Sequence, residues 1–106
     1  MKTHNLTVRK IEAFRKYLVE EEKSEATIEK YIRDVMAFSA FCNGIITKDT
    51  TIAYKQSLID GGYAVRSINS MLASLNSLFS FLGWYELRVK SLKVQRQVFC
   101  PEEKEL

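Results

Sequence analysis

The chain predicts an all-α fold: a bundle of four helices followed by a basic, extended segment. Three observations carry that prediction. Four stretches repeat apolar residues every three to four positions, the spacing of one helical face. Each stretch is bounded by residues suited to capping or stopping a helix. One proline and four glycines in 106 residues leave little room for the many tight turns of an all-β domain.

The first helix is expected from about Val8 to Glu22, with Thr7 as N-cap and an apolar stripe of Val8, Ile11, Phe14 and Tyr17 or Leu18. The acidic run Glu20-Glu21-Glu22 has the wrong sign for a helix C-terminus, so fraying is expected there. The second helix is expected from Glu25 to Cys42, capped by Ser24 and stopped by Asn43-Gly44. Its stripe is Ile28, Tyr31, Ile32, Val35, Phe38 and Cys42; Thr27, Lys30, Arg33 and Asp34 lie largely off it. The third runs from Lys48 to Asp60 behind Thr47, with a weaker stripe of Ile52, Leu58 and Ile59, and ends at Gly61-Gly62.

The fourth helix, Val65 to Leu82, is the most informative. Val65, Ile68, Met71 or Leu72, Leu75, Leu78 or Phe79, and Leu82 form its buried side. Arg66, Ser67, Asn69, Ser70, Ala73, Ser74, Asn76 and Ser77 cover much of the rest. Serine and asparagine are poor helix formers, and a face chosen for solubility more often carries Glu and Lys. Short polar groups permit close approach, so this face fits either a contact surface or a plain polar one. Trp84-Tyr85 is expected to pack back on the bundle, and Leu87 to Phe99 reads as a linker or edge strand.

The net charge of +3 is unevenly spread. Residues 88–100 hold Arg88, Lys90, Lys93 and Arg96 and no acid. Such a segment fits a solvated tail or a track along a phosphate backbone. The domain division expected is 1–87 for the bundle and 88–106 for the linker.

Several function classes find no residues. The single histidine, His4, sits in an expected flexible N-terminal tail, where it cannot serve a nucleophilic site. Gly61-Gly62 lacks the flanking residues of a phosphate loop. No metal site, cofactor or catalytic residue is expected. The tyrosines Tyr17, Tyr31 and Tyr54 are expected to pack their rings and reach solvent with their hydroxyls. No apolar run reaches the roughly 20 residues of a membrane helix. Cys42 and Cys100 form no CxxC pair and read as reduced thiols of a cytoplasmic protein.

Two stretches resemble a known family. Ser24-Glu25-Ala26-Thr27-Ile28-Glu29-Lys30-Tyr31-Ile32-Arg33-Asp34-Val35-Met36-Ala37-Phe38 is similar to the S-x-x-T-x-x-x-Y-x-x-D pattern that opens the core-binding domain of phage integrases and other tyrosine recombinases. The run from Gly61-Gly62-Tyr63-Ala64-Val65-Arg66-Ser67-Ile68 to Phe79-Ser80-Phe81-Leu82 resembles that domain's last helix. The likeness covers roughly residues 7–99. It implies a SAM-like orthogonal bundle forming half of a C-shaped clamp on double-stranded DNA, with the second and fourth helices against the major groove. Carried over by position, it implies contacts from Thr27, Lys30 and Arg33, then Arg66, Ser67, Asn69, Ser70, Ser74 and Ser77, then Arg88, Lys90 and Lys93. Implied partners are the catalytic domain of the same parent chain and recombinase protomers on DNA.

The departure is in the chemistry. The family's tyrosine nucleophile, His-x-x-Arg motif and partners have no match: three residues after His4 stands Thr7. The expectation is therefore a DNA-binding piece of a longer strand-exchange enzyme, itself not an enzyme. The competing expectation is a small all-α protein–protein interaction module.

Overall fold

The computed structural model describes residues 3–92. Four helices carry the fold: α1 (Val8–Glu20), α2 (Glu25–Cys42), α3 (Lys48–Asp60) and α4 (Val65–Leu82). Two short strands, β1 (His4–Asn5) and β2 (Ile45–Ile46), pair antiparallel with His4 opposite Ile46 and Asn5 opposite Ile45. A 3-10 turn, Tyr85–Leu87, follows α4.

The helix starts follow from local hydrogen bonding. The side chains of Thr7, Ser24 and Thr47 accept the backbone N–H three residues on. Thr47 and Thr50 complete a reciprocal capping box. Helix α2 stops at Asn43, which takes a left-handed conformation, and α4 stops at Gly83 with φ 78°. Helix α1 ends at Glu20, two residues before the expected Glu22, because Glu22 turns left-handed at φ 63°. The N–H of Glu22 then bonds the Val19 carbonyl and that of Lys23 the Leu18 carbonyl, closing the helix end.

Helix α4 is the spine, packing against α2, α3 and the 3-10 turn, while α1 packs on α2. Phe14, Leu18, Val35, Phe38, Leu75, Leu78 and Phe79 are fully buried. Phe38 sits edge-on to Tyr54 and Phe79, with centroids 5.1 and 5.8 Å away.

Some inward positions differ from expectation. Val8 is 68% exposed, so the α1 stripe begins at Ile11. On α3, Ile52 and Ile59 face outward, and Thr51, Tyr54 and Leu58 face in. Thr51 tolerates burial because its hydroxyl donates to the Thr47 carbonyl at 2.8 Å. Tyr54 is buried rather than reaching solvent. Trp84 packs in, whereas Tyr85 is exposed. His4 belongs to no loose tail: its ring stacks on Trp84 at 4.4 Å, and Nε2 lies 2.6 Å from a Glu86 carboxylate oxygen.

Candidate nucleic-acid interface

Helix α4 presents a stripe of small side chains to solvent. Arg66, Ser70 and Ala73 are exposed and Ser77 is half-buried, at steps of three and four that keep them on one face. Ser67 is exposed beside Arg66. Ala64, the N-cap of α4, makes no side-chain cap bond, unlike the residues capping α1, α2 and α3. The first-turn amides of α4 therefore meet no side-chain acceptor from their own cap, with the Arg66 guanidinium in the same turn.

Beside this stripe runs α2. An open groove of about 360 Å³ lies between them, lined by Ala26, Thr27, Lys30, Tyr31, Ser70 and Ala73. A polar lock closes its floor. Lys30 Nζ donates to Asp34 Oδ2 at 2.7 Å, to the Ser70 carbonyl at 2.8 Å and to Ser74 Oγ at 3.1 Å. Ser74 Oγ in turn donates to Asp34 Oδ2 at 2.8 Å. All three ammonium hydrogens of Lys30 are thus engaged within the protein.

This lock changes the reading of three residues. Ser74 is fully buried, not on the open face, because its short hydroxyl reaches Asp34. Asp34 is buried too, although it lies off the apolar stripe of α2. Lys30 joins α2 to α4 instead of projecting from them. Arg33 is exposed, and Thr27 is half-buried with its hydroxyl accepting from Ser24.

A second structure borders the stripe. After the 3-10 turn the chain leaves Arg88 in an extended conformation, and residues 89–92, neither helix nor strand, are tied to α4. Asn76 exchanges two hydrogen bonds with the backbone of Val89, at 2.8 and 2.9 Å. Asn69 does the same with Leu92, at 2.9 and 2.6 Å. From α3, Lys48 Nζ donates to the Arg88 carbonyl at 2.5 Å and Lys55 Nζ to the Lys90 carbonyl at 2.6 Å. Val89 is buried, while Arg88 and Lys90 are exposed. Asn69 is therefore a brace for the following segment rather than an outward group. The sequence reading places Asn76 on the polar face of α4 without a contact role and gives Lys48 and Lys55 none; their signal is that each pair, 48/55 and 69/76, is seven residues apart on one helical face. Lys93 lies outside the described residues, as do Arg96 and Cys100.

Among the described residues, no group of three or more His, Cys, Asp or Glu side chains is placed to hold a metal ion. No described helix is long and apolar enough to cross a membrane. Burial raises the pKa of the Cys42 thiol, against a smaller lowering by a Thr50 hydrogen bond. Burial also raises the Tyr54 phenol, helped by the Asp34 charge.

Fold and surface together define a small all-α bundle with a cation-flanked, small-residue face on its last helix. The family model described as "Phage integrase, N-terminal SAM-like domain" matches residues 11–86, and the chain belongs to that family. No curated protein and no solved structure matches the chain.

Proposed function

We propose that this chain grips duplex DNA as half of a C-shaped clamp, in the service of a tyrosine recombinase whose catalytic domain lies elsewhere in the parent protein. The observation that carries the reading is the α4 stripe. Arg66 stands over an N-terminus whose cap residue supplies no side-chain acceptor, and Ser70, Ala73 and Ser77 keep the face low enough for a backbone or groove to approach. Ser67 follows Arg66 at the surface, Thr27 lines the groove beside that face, and the exposed Arg33, Arg88 and Lys90 are the further cations assigned to DNA in this reading. Hydroxyls serve phosphate oxygens and base edges alike, so the face suits positioning more than reading a DNA word. Lys30 and Ser74 support it from beneath, by holding α2 at a fixed distance from α4. The setting proposed is cytoplasmic, with other recombinase protomers on the same DNA.

The test is a salt titration of duplex binding. A handful of cation–phosphate contacts gives a steep log–log slope and non-specific affinity of roughly micromolar or weaker. Arg66→Ala is expected to weaken binding and reduce the slope by about 1, with an unchanged thermal midpoint. No binding at low salt, or a slope near zero, would favour a protein-interaction module instead.

A further inference from the structure

We propose that Asn69 and Asn76, with Lys48 and Lys55, are positioning residues: they clamp the backbone of residues 88–92 onto the bundle and so hold Arg88 and Lys90 as a fixed margin of the α4 face. This rests on the DNA reading above for its purpose, though not for its geometry. An extended segment with no partner strand must still satisfy its N–H and C=O groups. Here side chains replace the strand. An asparagine amide offers one donor group and one acceptor, the same pair a neighbouring strand residue would present. Asn76 meets Val89 and Asn69 meets Leu92 in this two-point manner.

The spacing is matched. Seven helical residues advance about 10.5 Å. Three residues of extended backbone span about 9–10 Å. So a pair of asparagines seven apart on α4 addresses positions three apart on the segment, in antiparallel order. Arg88 has φ −61° and ψ 141°, close to polyproline II, so the segment leaves the 3-10 turn extended. Val89 is buried, and Leu92 packs against the core. The two lysines from α3 take the carbonyls of Arg88 and Lys90 from the other side. The two lysine ammonium groups are thereby brought to the backbone of Arg88 and Lys90, both exposed.

Two measurements on the full chain test this. The first is amide exchange without DNA. In N69A/N76A, the Val89 and Leu92 amides are expected to exchange at least about tenfold faster than in the parent, the scale of one or two net hydrogen bonds, with Leu75 and Phe79 unchanged. Equal exchange in both chains overturns the clamp. If the double variant loses its cooperative melt, N69A alone provides the same comparison at Leu92. The second is a double-mutant cycle in duplex affinity. R88A/K90A is expected to lose about tenfold in the parent and under about threefold in the N69A/N76A background. The asparagine changes alter no charge, so a direct electrostatic loss cannot produce that result. Equal losses in both backgrounds overturn the positioning role. If the parent binds no duplex, the DNA reading fails and the exchange measurement decides the clamp.

Discussion

At the scale of single residues, burial follows partner geometry more than polarity. Leu75 is fully buried, and Leu75→Ala is expected to cost about 2–5 kcal/mol in urea denaturation, through lost transfer energy and the cavity left behind. A change within error would mean that α4 faces its core differently. Ser74, next in sequence, is equally buried, for a different reason: it completes the Lys30–Asp34 pair. The two residues look unlike in sequence and are alike in exposure. The candidate site suffers most from this. Arg66, Ser67 and Ser70 stand at the surface, as their types suggest, but Ser74, a serine like two of them, and the equally polar Asn69 turn to the protein instead. Residue type reports hydrogen-bonding capacity; it does not report who uses it.

At the scale of elements, helix starts were legible because capping is local chemistry. Thr7, Ser24 and Thr47 each sit three residues before the amide they bind, and each was identifiable without any tertiary contact. The stop at Asn43 was legible because this residue type reaches the left-handed region at low cost, and Gly83 ends α4 in the same conformation. Gly83 has φ 78°, and nothing lies within 4 Å of where a Cβ would stand. Gly83→Ala is therefore expected to cost about 1 kcal/mol from its own backbone conformation, with no clash against other residues. A denaturation midpoint indistinguishable from the parent's would contradict that backbone assignment. The end of α1 was less legible, because a glutamate at φ 63° is an uncommon stop. The inward face of α3 differs from the hydropathy reading because isoleucines outrank threonine and tyrosine on that scale, yet the Thr51 hydroxyl donates to the Thr47 carbonyl one turn back and Tyr54 packs edge-on with Phe38.

At the scale of the whole molecule, the buried seam between α2 and α3 sets a pH limit. Folding raises the pKa of both Cys42 and Tyr54, chiefly by burial. The native state therefore holds these protons more tightly than the unfolded chain. Stability is expected to be unaffected by these groups at neutral pH and to fall above about pH 9, as the unfolded thiol and then the phenol ionise. Urea midpoints taken with reductant across that range check the sign. A midpoint that did not fall across that range would contradict the burial of these two groups.

Sequence by itself determined the four helices, most of their ends, the apolar side of α4 and the family likeness. These depend on periodicity and capping, interactions that reach no further than a turn or two along the chain. Tertiary structure decided the rest: that His4 stacks on Trp84, that Lys30 locks α2 to α4, and that residues 88–92 are bound along α4 by asparagines. Each joins residues far apart in the chain. Which of several equivalent polar groups meets a partner depends on how the packed helices are rotated and offset, and the apolar core sets that arrangement.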